Sequence, residues 1–326
     1  MHDKKGSQRL SVERLQQWEA LGYGMFIHFG MSTFVGEELP AGGFPALRYA
    51  PDKLDVDQWV QVARDAGMRY AVLCTKHVAG HCLWPSQHTD YHVGNSGNRT
   101  DVVEAFVAAC AKHGILPGLY YCSWDNHHDF NSGLPSRVGW SNAYTTHEYR
   151  DFQMKQVKEL LTQYGPIAEM WIDIPAFLGV EGRLRQYAQI ASLQPDTVIM
   201  LNQGFGNGEK INKDAWPTDL AALERSLPSN GGNHSYYNSW YQLDIPGHGP
   251  GEYYIPGEVC DTIGREWFYK EGDPLRSDSE LLAMYLLCRT RGCNLLLDVP
   301  PDPHGLIPKE TIDALMRLKR NAGTFS

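Results

Sequence analysis

Between Tyr164 and Pro175 the chain reads Tyr164-Gly165-Pro166-Ile167-Ala168-Glu169-Met170-Trp171-Ile172-Asp173-Ile174-Pro175. A short apolar run that enters after a Gly-Pro turn signal and is closed by proline reads as a buried strand. Side chains alternate along a strand, so Trp171 and Asp173 share one face. An aromatic plate beside a carboxylate at the C-terminal end of a strand suits an enzyme that holds a sugar and attacks it. The plain alternative is a buried aspartate satisfied by backbone donors.

The same kind of strand recurs along the chain, each time followed by a helical pattern. Strands are expected at 23–30, 70–77, 115–124, 197–201 and 294–299, besides the one ending at Asp173. Helices are expected at 55–66, 101–112, 147–164, 184–192 and 277–290, with a final helix at 308–321. Repeated strand-helix alternation gives a parallel sheet. With no dinucleotide glycine fingerprint, it favours an α/β fold of the (β/α)8 TIM-like barrel type. Residues 202–276 are rich in Gly, Pro, Asn and Trp, and the later strands are hard to place there. Irregular segments of that length are usually functional loops. One catalytic domain over residues 1–326 is the simplest expectation.

In such barrels the site lies at the C-terminal ends of the strands. His28, His77, Trp124 and Asp173 each end an expected strand, which makes one shared pocket the economical reading.

Composition narrows the function class. The 326 residues carry a net charge of −9, which argues against nucleic acid, whose phosphates call for basic patches. No apolar run reaches membrane-spanning length. The 17 Tyr, 9 Trp and 11 Phe suit sugar faces, although aromatic residues also fill cores. Seven cysteines, none in a Cys-x-x-Cys pair, form neither a disulfide framework nor a zinc knuckle. Reduced cysteines fit the cytoplasm, and a removed signal peptide would instead place the protein in the periplasm or outside the cell. The oligomeric state is left open.

In order, Gly24-Met25-Phe26-Ile27-His28-Phe29-Gly30, Lys76-His77 with Leu83-Trp84-Pro85-Ser86, Gly118-Leu119-Tyr120-Tyr121 and Trp171-Ile172-Asp173 resemble the strand motifs of the α-L-fucosidases of glycoside hydrolase family 29. Pro256-Gly257-Glu258-Val259-Cys260 with Trp267-Phe268-Tyr269, and Cys293-Asn294-Leu295-Leu296-Leu297 with Pro300-Pro301-Asp302, are similar to the subgroup acting on branched α-1,3/1,4-linked fucose. Members often carry a C-terminal β-sandwich, which is not expected within these 326 residues. The resemblance implies a retaining exo-glycosidase acting on an oligosaccharide or glycoconjugate, with no cofactor and no metal. It implies Asp173 as nucleophile and a glutamate in a loop shortly before a proline as acid/base. Glu224, ahead of Pro228, fits best, with Glu252 and Glu258 as alternatives. It further implies sugar contacts from His28, Glu38, His77, Trp124, Trp171 and Trp267, and from Tyr121 in preference to Tyr120.

Two departures bear on the sugar. The family's His-His-Asp-Gly-Phe is His77-Val78-Ala79-Gly80-His81 here, and its Glu-Trp pair is Glu38-Leu39. Lost donors shift specificity, because a site built to bond a hydroxyl discriminates by it. The expectation is hydrolysis of α-L-fucosides or a closely related sugar through a covalent glycosyl-enzyme, with an α-L-galactoside or a substituted fucoside as the alternative substrate and His81 at the pocket or its rim. A non-catalytic sugar-binding barrel is the alternative from another class. Trp124-Asp125-Asn126-His127-His128-Asp129 also invites a metal reading, but adjacent histidines on a regular element point in different directions. The glycine-rich 204–208 lacks the Lys-Ser or Lys-Thr of a phosphate loop.

Overall fold

The computed structural model describes residues 5–130, 132, 143–202, 216–228, 239–245 and 249–323. The glycine-rich 204–208 and most of the Gly-His-Gly at 247–249 lie outside the described residues.

Eight parallel strands form one sheet: β1 (Tyr23–Ile27), β2 (Tyr70–Lys76), β3 (Leu116–Cys122), β4 (Glu169–Asp173), β5 (Val198–Leu201), β6 (Ala221–Glu224), β9 (Gly257–Thr262) and β10 (Asn294–Asp298). The antiparallel hairpin of β7 (Trp240–Ile245) and β8 (Gly249–Tyr254) stands apart from it. The sheet order is β5-β4-β3-β2-β1-β10-β9-β6. The helices between the strands are α3 (Val56–Ala66), α4 (Val102–His113), α5 (His147–Gln163), α6 (Gly179–Leu193) and α7 (Asp278–Thr290); α1 (Val12–Glu19) and the short α2 (Met31–Val35) precede them, and α8 (Lys309–Gly323) closes the described chain.

Local chemistry sets several of these boundaries. Asp55 and Asp101 accept the Gln58 and Glu104 backbone N–H groups, both at 3.0 Å, and start α3 and α4. Ser277 and Glu280 form a capping box at the head of α7. Gly67 stops α3 at φ 87°, a left-handed conformation that glycine adopts without a Cβ penalty.

The alternation of side chains divides the interior into two cores. One set, including Met25, Leu73, Leu119, Ile172 and Leu297, faces outward under the helices. The other, including Phe26, Val72, Tyr120, Trp171, Met200 and Leu296, fills the barrel. Gly24 is required on that inner side, since a Cβ there would fall 2.5 Å from the Tyr70 ring.

The β5–β6 seam has no strand ladder and is closed by Thr218 and Asp219, ahead of β6, mainly through their side chains. Asp219 donates its backbone N–H to the Ile199 carbonyl at 2.8 Å and accepts the Ile199 N–H on Oδ2 at 2.9 Å. Arg9 and Tyr187 both bond the Asp219 carboxylate, and Leu201 donates its N–H to Thr218 Oγ1 at 3.2 Å. The result is a sheet nearly closed into a TIM-like barrel.

The expected elements are observed within a few residues apart from the start of one helix, while α1, α2, β6, β9 and the β7–β8 hairpin were not placed from sequence. Helix α6 begins at Gly179, ahead of the expected 184, because two glycines hide its first turn. The two barrel strands not placed from sequence are β6 and β9. The first is only four residues long. The second is fully buried yet carries Glu258 and Asp261, which break an apolar-run reading. Glu224, expected on a loop, is the last residue of β6.

Candidate active site

The C-terminal strand ends converge on one pocket. It is lined by Asp173, Glu224, Asn202, His28, His77 and Glu38, over a floor of Phe26, Tyr120, Trp171, Cys260 and Trp267. Seven of the ten residues expected to build the site are among these.

Asp173 is held from three directions. Tyr120 donates its hydroxyl to Oδ2 at 2.6 Å. Asn202 Nδ2 and the Ile174 backbone N–H donate to Oδ1 at 2.7 and 2.9 Å. The same Asn202 nitrogen donates to Glu224 Oε2 at 2.9 Å. Both bonds end on one nitrogen, so the two bonded carboxylate oxygens stand no more than about 5.6 Å apart. Two carboxyl groups about 5–5.5 Å apart are the spacing of retaining glycosidases.

Backbone strain accompanies both carboxylates. Ile174 and Arg225, the residues that follow them, have φ of 48° and 49°. The left-handed region is costly for a β-branched residue, and such strain collects at functional sites. The Arg225 guanidinium stacks 4.9 Å from the centre of the Trp267 ring.

The other polar groups of the pocket divide by environment. Burial pushes the Glu38 carboxyl above the ordinary range; His28 and Arg225 partly offset this, while Glu266 and Glu224 add to it. Burial, then the neighbouring His28 and Lys76, hold His77 well below the ordinary imidazole value, and its buried Nδ1 has no partner among the described residues. His28 Nδ1 lies 2.7 Å from Asp298 Oδ1. The Trp171 ring is fixed by its Nε1, which donates to Glu258 Oε1 at 3.0 Å. Neither Glu258 nor Glu252 lines the pocket. Glu258 is wholly buried below Trp171, and Glu252 sits on the outlying hairpin beside Gln242.

Three expected contacts lie elsewhere. Tyr121 is on the outward side of β3, its hydroxyl donating to Gln156 Oε1 at 2.7 Å and its ring 4.4 Å from Lys76 Nζ. Tyr120, one position away and in register with Trp171, takes the pocket side, as alternation requires. His81 is buried behind the strand end, stacked on Tyr49 at 5.1 Å with Nε2 2.8 Å from Ser96 Oγ. Burial pushes its imidazole down to about 3, so it sits there neutral. Trp124 turns aside to bond Asn126 Oδ1 at 2.8 Å and pack near Phe177.

Asn202 and Asp298 were missed in the sequence. Both stand at strand C-terminal ends, the signal that found His28 and Asp173. The segment considered for metal binding is organised by Asp125, which accepts the His127 and His128 N–H groups at 2.9 Å and pairs with Lys76 at 2.7 Å and His128 Nδ1 at 2.8 Å. Among the described residues no three His, Cys, Asp or Glu side chains come together as a metal site, and no helix is long and apolar enough to cross a membrane.

Known proteins share this architecture. The family model described as Alpha-L-fucosidase matches residues 45–320. Alpha-L-fucosidase 1 of Arabidopsis thaliana is 32% identical over 316 residues, spanning 92% of this chain and 57% of that protein. The crystal structure of a glycoside hydrolase 29 family member from an unknown rumen bacterium superposes with a TM-score of 0.78 at 27% identity, covering 96% of this chain and 57% of the other. Alpha-L-fucosidase isoenzyme 1 from Paenibacillus thiaminolyticus gives a TM-score of 0.73 at 27% identity, covering 94% and 75%. The chain thus spans little more than half the length of the plant relative. On sequence and fold together, this chain belongs to the α-L-fucosidase family of glycoside hydrolases.

Proposed function

We propose that the chain is a retaining exo-glycosidase that hydrolyses α-L-fucosides of oligosaccharides or glycoconjugates. The observation that carries this reading is the single Asn202 nitrogen bonded to both Asp173 and Glu224, which sets a spacing suited to double displacement. Asp173 attacks the anomeric carbon while Glu224 protonates the departing oxygen, leaving a glycosyl-enzyme. Glu224 then takes a proton from water as that water displaces Asp173. Tyr120 and Asn202 keep the nucleophile aimed, and Trp171 offers the sugar an apolar face. A carboxylate pair held this closely weighs against a non-catalytic sugar-binding role.

A second sugar is favoured by one observation. Val78 and Ala79 are buried and apolar where the family presents polar groups, and His81 does not replace them. An α-L-galactoside or substituted fucoside is the alternative substrate, to be compared with the fucoside on aryl glycosides.

The test is Asp173→Gly. Turnover of an aryl α-L-fucoside is expected to collapse by orders of magnitude and to return with azide, yielding the β-L-fucosyl azide. Retained turnover, or a first product of β configuration from the parent enzyme, would refute the assignment. Glu224→Ala should harm substrates with poor leaving groups far more than activated aryl glycosides. Should Glu38→Gln show that pattern instead, the acid/base role passes to Glu38, whose raised carboxyl lines the same pocket.

A further inference from the structure

His28 reaches the pocket from just beyond the end of β1 through a wall of aromatic rings, with Phe26, Trp267 and Phe268 at centroid distances of 4.5, 5.2 and 5.2 Å. One of its nitrogens is committed. Nδ1 lies 2.7 Å from Asp298 Oδ1, and the two side chains are 5% and 0% exposed. Asp298 ends β10, which pairs with β1 so that Phe26 stands opposite Asp298. The pairing of β1 with β10 therefore fixes the approach of His28, one residue past β1, to Asp298. Asp298 Oδ2 is buried and has no partner among the described residues, so His28 is the main recipient of this carboxylate's charge. No hydrogen bond among the described residues engages His28 Nε2, which leaves that edge for a ligand.

We propose that Asp298 is a positioning residue for His28: the dyad keeps one proton between Nδ1 and Oδ1, and a second proton converts Nε2 from hydrogen-bond acceptor to donor. The proposal deepens the sugar-pocket reading and rests on it for the identity of the ligand. The chemistry follows from the inventory of an imidazole. Which nitrogen carries the proton is set by the bond the other makes. With one proton in the dyad, that proton is shared at Nδ1, and Nε2 accepts a sugar hydroxyl. With two, Nε2–H must donate, wherever the inner proton rests between the partners.

The groups facing the dyad leave this switch in place. Burial keeps His77 neutral beside it. Arg225, from the end of β6, favours the ionised Asp298, and Glu38 lies within electrostatic reach of His28. The Tyr120 hydroxyl is spent on Asp173. Burial raises the Asp298 carboxyl and His28 eases it back, to about 6.

The test is nitrogen NMR of the 15N-labelled histidines, with His28→Gln to assign the signal. In the wild type at about pH 8, His28 is expected as the Nδ1–H form with a bare Nε2, and a second proton, taken up as the pH is lowered, should appear on Nε2. Asp298→Asn keeps the shape and an acceptor oxygen but removes the charge, so its Nε2 should protonate only at markedly lower pH. In parallel, KM for an aryl α-L-fucoside should rise about tenfold across the wild-type transition, with kcat less affected, and stay flat in Asp298→Asn. A wild-type His28 found as Nε2–H at that pH would overturn the proposal, as would an Asp298→Asn variant with unaltered titration and KM profile. If the spectra behave as expected while neither protein acts on the fucoside, the dyad stands and the fucoside reading falls. If Asp298→Asn does not fold, the wild-type spectrum decides alone.

Discussion

The two adjacent tyrosines of β3 offer a sharp test, because alternation sends them to opposite sides of one strand. Tyr120→Phe removes the hydroxyl that donates to Asp173 Oδ2 at 2.6 Å, in a position only 1% exposed. A hydrogen bond to a charged group is worth about 1.5–3 kcal/mol, and each 1.4 kcal/mol is about tenfold. If that energy is used to aim the nucleophile, kcat/KM on an aryl α-L-fucoside falls roughly ten- to a hundredfold. Tyr121→Phe removes a hydroxyl that bonds Gln156 on the helix side. It leaves a buried amide oxygen unpaired and should cost about 1–3 kcal/mol of stability with kcat/KM nearly unchanged. Steady-state kinetics and urea unfolding on both variants separate the outcomes. If Tyr121→Phe lost activity while Tyr120→Phe kept it, the assignment of the two faces of β3, and the site built on it, would be wrong.

His81→Phe should leave KM and kcat within about twofold, since His81 packs on Tyr49 away from the pocket. Its folded imidazole titrates at about 3, below the unfolded value. The unfolded chain therefore takes up the proton first, and the wild type loses about 1.4 kcal/mol per pH unit as pH falls below the ordinary histidine range. His81→Phe should remove that loss, which an acid-unfolding series would detect. The Glu169 carboxyl, buried against Glu258, is pushed well above its ordinary value by burial and by that neighbour. A raised folded value stabilises below the unfolded one, so stability should fall as pH rises above the ordinary glutamate range, again by about 1.4 kcal/mol per pH unit per proton. Glu169→Gln imitates the protonated acid and should flatten this decline. An unchanged slope in thermal melts across pH would show that Glu169 is ionised in the fold.

The strand-helix rhythm was enough to identify the barrel class, because period and punctuation are local properties of the chain. The strand-end rule likewise located His28, His77 and Asp173, because in a parallel barrel the C-terminal strand ends face the site, but it also pointed to Trp124, which turns aside. What local pattern could not supply was facing and closure. Tyr120 and Tyr121 are equivalent as letters, and only the register of β3 against β4 turns one toward Asp173. His81 looked like a replacement sugar ligand until the turn after β2 folded it against Tyr49 and Ser96. Strand β9 was obscured by glutamate and aspartate on buried positions, which are tolerated because partners from distant strands, Tyr70 and Trp171 for Glu258, satisfy them. Asn202 and Asp298 became meaningful for the same reason. Each acts through a side chain on a strand that the chain reaches only after tens or hundreds of intervening residues, so the bridging of Asp173 to Glu224 and the anchoring of His28 exist only once the barrel has closed.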